Sequence, residues 1–428
     1  MQNKYSLPYD GGLILEGTPK DIIHRYEKVP TSVFDSEAEG VNYVVNELIN
    51  AIKKHEATEP QRLFALGLTT GRTPIGVYIE LVNRYKAGEI SFKNVEVYSL
   101  DEFYPIKASE QQSRNYRIHE DFISLVDIAP ENVHIIDGSV PADKISDYCA
   151  EYDRKARNID LMVIGMGTQG QIGFNEPGSY AKSTTRLVQL TYQSRKQQAG
   201  LFFGAENTPR MAITMGLNTV MSAKRIILMA WGEDKANIIN KVVEGDATRT
   251  IPASMLQNHP AIEAVVDETA AALLTVKKAP WIVGPCDWTE RLVRKAVVWL
   301  CEVVKKPILK LTYKDYIEHS LGELLDATGM TYDKVNIKVF NDLQHTITGW
   351  PGGKPNADDS TRPVPSTPFP KRVIIFSPHP DDDVISMGGT FIRLVEQGHD
   401  VHVAYETSGN VAVHDDVVLQ HIDSAREI

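Results

Sequence analysis

Carboxylates stand directly after apolar runs in this chain. Asp101-Glu102 follows Val95-Glu-Val-Tyr-Ser-Leu100, and Glu176 lies in Asn175-Glu-Pro-Gly178. A carboxylate at the end of a buried strand can take a proton from carbon and hand it back. The bland alternative is a capping or solvated acid. Thr69-Thr-Gly-Arg-Thr-Pro74 joins an apolar run to a helical pattern. Backbone N–H groups, hydroxyls and Arg72 at a helix start suit a phosphate, against the simpler reading of an ordinary turn with a capping threonine. Gly165-Met-Gly-Thr-Gln-Gly170 matches G-x-G-x-x-G, but Pro177 and Gly178 follow too soon for the long helix that dinucleotide binding requires. Farther on, Ser377-Pro-His-Pro-Asp-Asp-Asp-Val384 sets a histidine beside three acids. Histidine plus carboxylate with an open position is catalytic-zinc chemistry, and the alternative is an exposed polar loop.

These clusters need elements to hold them. Apolar runs predict strands over 62–68, 95–100, 159–164, 225–230 and 261–266. Apolar stripes predict helices over 37–54 (Val41, Val44, Val45, Leu48, Ile52) and after Pro74 (Ile75, Tyr78, Ile79, Val82, Tyr85). Buried strands alternating with helices define an α/β fold with a mostly parallel, doubly wound sheet. Ligands of such folds sit at the carboxyl ends of the strands. The polar loops 69–74, 101–104, 165–176 and 232–235 all fall there.

The expected organisation is residues 1–279 as the first domain, opening with an N-terminal extension and short helix over 1–35. Residues 280–350 form a connecting subdomain, with a helix over 292–304 and a strand at Ile337-Lys-Val-Phe340. A Pro/Gly-rich linker covers 351–371. Residues 372–428 begin a second α/β domain, which is expected to be incomplete. At 428 residues the chain suffices for two or three cores. The net charge of −11 argues against nucleic acid or an anionic membrane as partner, though a local loop can still bind a small anion. Three scattered cysteines and an N-terminus without an apolar signal core read as a cytoplasmic protein with free thiols.

Taken in order, Gly67-Leu-Thr-Thr-Gly-Arg-Thr-Pro74, Ser99-Leu-Asp-Glu-Phe-Tyr104, Gly165-Met-Gly-Thr-Gln-Gly-Gln-Ile-Gly-Phe-Asn-Glu-Pro-Gly178 and Gly232-Glu-Asp-Lys-Ala236 resemble glucosamine-6-phosphate deaminase. Lys86-Ala-Gly-Glu-Ile-Ser-Phe92, Val126-Asp-Ile128 and Val243-Glu-Gly245 add to the resemblance. It implies that Asp101 handles the proton at the sugar C2 and that Glu176 assists ring opening. It implies a phosphate held by Thr70, Gly71, Arg72, Thr73 and Lys235, with a hexosamine phosphate as ligand and no cofactor. The family's Gly-x-Gly-x-Asp-Gly-His carries an aspartate and a ring-opening histidine, and here those positions are Gln169 and Gln171. A glutamine orients hydroxyls by hydrogen bonding but takes up no proton near neutral pH. Arg72 stands where the family has glycine, and Leu201 where it has an arginine. Of the allosteric phosphate site of the hexameric relatives, Ser179 and Arg186 fit while Val188 replaces a lysine. A divergent deaminase, a related isomerase or hydrolase, and a hexosamine-phosphate sensor without turnover all stay open. A homo-oligomer is a further expectation.

The later cluster resembles the start of the PIG-L/LmbE zinc-dependent N-acetylglucosamine deacetylases. The resemblance implies His379 and Asp382 as zinc ligands and Asp381 as general base. The family's third histidine comes much later. His399, His402, His414 and His421 read as surface or structural, so zinc is expected only of a full-length second domain.

Overall fold

The computed structural model describes residues 11–344, 372–396, 398–408 and 415–426. The expected linker, residues 345–350 and His414 lie outside them. The chain divides into two compact units, Met1–Asp287 and Trp288–Ile428.

The strands of the first unit are, in chain order, β1 (Gly12–Leu13), β2 (Thr31–Phe34), β3 (Phe64–Leu68), β4 (Val95–Ser99), β5 (Asp101–Tyr104), β6 (Val133–His134), β7 (Leu161–Gly165), β8 (Arg186–Gln189), β9 (Met211–Thr214), β10 (Ile226–Ala230), β11 (Ile262–Asp267) and β12 (Cys286–Asp287). Seven of them form one parallel sheet in the order β2-β11-β10-β7-β3-β4-β6. Helices cover both faces. On one side Val44, Leu48 and Ile52 of the Glu37–Thr58 helix and Leu81 of the Ile75–Lys86 helix pack on Leu66, Val97 and Val163. On the other side Ile145 and Tyr152 of the Ile145–Lys155 helix and Ile239 and Val242 of the Ala236–Val243 helix pack with Met162, Ile164 and Leu228. Successive strand residues point to opposite faces, so a sheet covered twice needs unbroken apolar strands. β3 and β10 are buried at every residue.

Chain order turns back at the centre of this sheet. From β3 the chain builds outward through β4 to β6, and then returns to β7 and builds the other way through β10 and β11. The crevice at the carboxyl ends of β3 and β7 is therefore the switch point where ligands of such sheets bind.

Several sequence expectations change. Thr31–Phe34, read as part of an extension, is the edge strand β2, parallel to β11. Its four residues are too few to carry a periodic signal. Residues 101–104, read as a loop, are β5 of a second, antiparallel sheet ordered β5-β9-β8. Ile79 is exposed, because the buried face of its helix centres on Val77, Tyr78, Leu81 and Val82. The first unit runs to Asp287, where β12 pairs with β1.

In the second unit the helices Glu290–Val304, Tyr313–Glu318, Gly322–Thr328 and Tyr332–Gln344 follow one another. The expected strand at 337–340 lies inside the last of these. Val335 and Val339, four apart, are its buried apolar positions, with Asn336 buried beside them, while Ile337 is exposed, a helical spacing that short alternation had mimicked. Downstream, β13 (Arg372–Ser377) and β14 (Asp400–Tyr405) form a parallel pair joined through the helices Asp382–Ile385 and Gly388–Glu396. Among the described residues no helix is long and apolar enough to cross a membrane.

Candidate active site

The chain leaves β4 at Ser99 and enters β5 at Asp101, with Leu100 as the only link. The Leu100 N–H donates to the Leu68 carbonyl at 2.9 Å, and its own carbonyl accepts from the Met215 N–H at 2.9 Å. Asp101 therefore sits where the parallel sheet hands over to the antiparallel one. It pairs across the ladder with Thr214 and is 5% exposed. The Gly165–Glu176 loop presses on it from above. Gly173 has φ of +55°, and a Cβ there would lie 2.8 Å from Asp101 Oδ2 and 2.9 Å from Thr214 Oγ1. Only glycine allows both the backbone conformation and the approach.

Burial pushes the Asp101 carboxyl up to about 6, against the pull of the Arg114 guanidinium and with a push from Glu102. That value suits a group that must take up and release protons near neutrality. Glu102, next along the strand, has a different task. Its carboxylate accepts from the N–H groups of Phe103 (2.8 Å), Arg114 (2.9 Å) and Asn115 (2.8 Å) and from the Ser113 hydroxyl (2.7 Å). It thereby caps the Arg114–Asp121 helix. Burial raises its proton affinity, and these four bonds work against that rise.

Arg114 carried no sequence signal, being one arginine in a mostly polar helix. The structure buries it to 9% exposure, with Nε 3.6 Å from Asp101 Oδ1 and the guanidinium over the rings of Phe103 (4.9 Å) and Phe174 (5.7 Å). Thr214 was likewise missed. Its hydroxyl accepts from the Phe174 N–H at 3.2 Å and ties the loop to β9.

The 69–74 loop rises from the carboxyl end of β3. Thr73 abuts Gly165, where a Cβ would come within 3.1 Å of it, and its carbonyl accepts from the Trp231 indole at 3.1 Å. The ends of β3, β7 and β10 are thereby in mutual contact. Gly71 has φ of +111°, Arg72 is exposed, and Thr70 Oγ1 is buried without a hydrogen-bond partner among the described residues. Lys235 follows β10 in a short 3₁₀ turn, its side chain 15% exposed and Nζ 3.7 Å from Asp234 Oδ2.

Glu176 is buried, and both its oxygens accept from the Thr191 N–H at 3.1 Å. Asn175 beside it donates to the carbonyls of Ile172 (2.9 Å) and Met215 (2.7 Å), and its Oδ1 accepts from Arg186 at 3.0 Å. Gln171 is buried and braces its own loop. Its Oε1 accepts from the Gln169 N–H at 3.0 Å, and its Nε2 donates to Gln197 at 3.0 Å, which in turn donates to Thr168 at 2.9 Å. The Gln169 side chain is exposed. The contacts thus bring Asp101, Thr214, Arg114 and the 173–175 segment together on one side. Thr73, Gly165 and Trp231 meet on the other.

A cavity of about 440 Å³ lies elsewhere, lined by residues at the amino ends of the strands, including Phe64, Asp160, Lys224 and Arg225. Its charges are matched: Asp160 pairs with Arg62 (2.6 Å) and Lys224 (2.7 Å), and Arg225 pairs with Glu47 (2.7 Å). Against the cost of burial, these partners hold Asp160 near 2. The cluster is an ion-pair clamp on the sheet's lower edge.

In the second unit, His379 Nδ1 lies 3.1 Å from Asp382 Oδ2, and Asp381 is exposed. Asp383 is buried and accepts from the Ser377 hydroxyl at 3.3 Å. Among the described residues no third histidine, cysteine, aspartate or glutamate joins His379 and Asp382. Two donors fall short of the three protein ligands a catalytic zinc usually has.

A switch-point crevice with a buried carboxylate and threonine-rich and glycine-rich loops marks the site of a doubly wound α/β domain. Comparison with known proteins places it further. The glucosamine-6-phosphate isomerase/6-phosphogluconolactonase family matches residues 35–266, and the chain belongs to it. The GlcNAc-PI de-N-acetylase family matches residues 374–427. A glucosamine-6-phosphate deaminase-like protein of Bacteroides thetaiotaomicron is 49% identical over 94% of this chain, and the chain spans 60% of that relative's length. The glucosamine-6-phosphate deaminase of Halothermothrix orenii is 42% identical over 49% of the chain and 87% of its own length. Among solved structures, a monomeric glucosamine-6-phosphate deaminase superposes with a TM-score of 0.54 at 31% identity, covering 57% of this chain and 99% of that one.

Proposed function

We propose that the first unit isomerises and deaminates glucosamine 6-phosphate, giving fructose 6-phosphate and ammonia. The observation that carries this reading is Asp101: a buried carboxyl poised near 6, at the carboxyl edge of the sheet, among loops that match the family's order. In this scheme Thr70, Gly71, Arg72, Thr73 and Lys235 hold the phosphate. Gly71's positive φ turns the backbone of that loop, and the buried Thr70 hydroxyl has a hydrogen bond unused among the described residues. Glu176 assists ring opening. Asp101 takes the proton from C2, the C–H electron pair forms the C1–C2 double bond, and the carbonyl pair moves onto O1. O1 takes a proton from solvent, return of the Asp101 proton to C1 leaves an iminium at C2, and water adds at C2 as ammonia departs, its oxygen becoming the ketone of fructose 6-phosphate. One base over two adjacent carbons is what the isomerisation requires.

A second reading, a sensor that binds without turnover, draws on Gln171. Its amide braces its own loop and can accept no proton, so the ring-opening relay lacks a member. A coupled ammonia-release assay beside a calorimetric titration with glucosamine 6-phosphate separates the two. Turnover that disappears in Asp101→Asn supports the enzyme. Tight binding with no ammonia supports the sensor.

A further inference from the structure

Arg114 is the group at this site that the mechanism above leaves unused. Its Nε–H is buried and has no hydrogen-bond acceptor among the described residues. The nearest carboxylate oxygen, Asp101 Oδ1, stands at 3.6 Å, within ion-pair range and outside a hydrogen bond. Leaving a charged donor unfilled in a buried place is costly unless something fills it. The fold also works to keep the side chain there. Glu102 receives the Arg114 backbone N–H, Phe103 and Phe174 lie against the guanidinium, and Gln198 Oε1 accepts from Nη2 at 3.4 Å.

We propose that Arg114 is a catalytic residue of the reaction assigned above, its Nε–H donating to the substrate oxygen that gathers negative charge while Asp101 takes a proton from the neighbouring carbon. The inference rests on that functional reading. An oxygen lying beside the Asp101 carboxylate would complete the Arg114 donor set and place positive charge where the enediolate forms. Preorganised donors of this kind act strongly in water-excluded sites. The same guanidinium also favours the ionised form of Asp101, against the larger effect of burial. Glu102 on its own strand pushes that carboxyl up, Tyr78 from the Ile75–Lys86 helix feels its charge, and Arg186 stands across Thr214 on β8. Arg186 is already bonded to Asn175, and Tyr78 donates to the Thr69 carbonyl. Arg114 is the cation that lowers the proton affinity of Asp101.

The test compares wild type, Arg114→Gln and Arg114→Lys. Ammonia release is followed from pH 5 to 9, and binding of glucosamine 6-phosphate is measured beside that of 2-amino-2-deoxygluconate 6-phosphate, whose C1 carboxylate stands for the charged oxygen. Arg114→Gln is expected to lose about 10²-fold in kcat at pH 8. Its acid limb should move to higher pH, and the carboxylate analogue should lose at least about tenfold more affinity than the parent sugar. Arg114→Lys should return the limb toward its wild-type position. An unmoved limb, or equal losses for both ligands, assigns Arg114 to packing alone and overturns the proposal. A wild type that neither binds nor turns over the sugar phosphate sinks the functional reading, and this assignment with it. Normal wild-type turnover with an unimpaired Arg114→Gln sinks only the assignment.

Discussion

Asp101 carries a cost that its neighbours could remove and do not. Folding raises its carboxyl from an ordinary 3.8 to about 6, with burial outweighing Arg114. The folded state therefore binds the proton more tightly than the unfolded chain. The stability this provides is fully present below pH 3.8 and is lost as pH rises through 6. The shift amounts to about 3 kcal/mol by neutrality, with the attraction of Arg114 already included. Asp101→Asn keeps the shape without the charge. Its denaturation midpoint should equal that of wild type near pH 4 and exceed it at pH 8, while ammonia release falls by at least 10³-fold. A variant less stable than wild type at pH 8 would contradict the reading of Asp101 as a carboxylate buried at a cost. Asp101 was legible in the sequence because an acid follows a buried strand at a loop where such folds bind ligands. Arg114 was not, because nothing local distinguishes a buried arginine from a solvated one. Its burial comes from Phe103, Phe174 and the Glu102 cap, contacts that only the tertiary fold assembles.

At the scale of elements, the site is a matter of loops held against each other. Glu102 caps the Arg114–Asp121 helix, Trp231 reaches across to Thr73, and Gly173 lets its loop lie on Asp101. The last contact gives a sharp test. Gly173→Ala places a methyl 2.8 Å from Asp101 Oδ2 on a backbone with φ of +55°. The positive φ alone costs about 1 kcal/mol, and the contact adds to it by pushing the loop outward. Thermal denaturation should show a loss of about 1–3 kcal/mol. Activity should fall further than stability explains, with kcat affected more than KM. A fully active Gly173→Ala would mean that the loop does not set the reacting geometry. The long strands of the parallel sheet were readable because burial on both faces leaves a continuous apolar run. The short elements were not. β2 has four residues at a sheet edge, and β5 continues from β4 after one residue, so neither carries its own period. At 337–340 an apolar-polar alternation imitated a strand inside a helix whose true signal was the Val335–Val339 spacing.

At the scale of the whole chain, the question is how much of it the site requires. Among the described residues, three apolar clusters of the first unit draw their buried members from between Val29 and Leu274. All seven strands of the parallel sheet fall in the same stretch, and the β1–β12 ladder closes the unit at Asp287. The segment after Arg372 has a different character. β13 and β14 leave Ile374, Phe376 and Tyr405 more than half exposed, although parallel strands are ordinarily covered on both faces. With so little apolar surface buried, these two strands hold their hydrogen bonds weakly. Two consequences can be measured together on the 428-residue chain and on one ending at Asp287. In the longer chain, amides of β13 and β14 should exchange with solvent well before those of β3, β7 and β10. The shorter chain should keep the main unfolding transition within a few degrees and ammonia release within about twofold. A shorter chain that still unfolds cooperatively but loses activity tenfold would show that residues beyond Asp287 complete the site. In that event the catalytic group would have to be sought among them, and not only at the carboxyl edge of the parallel sheet.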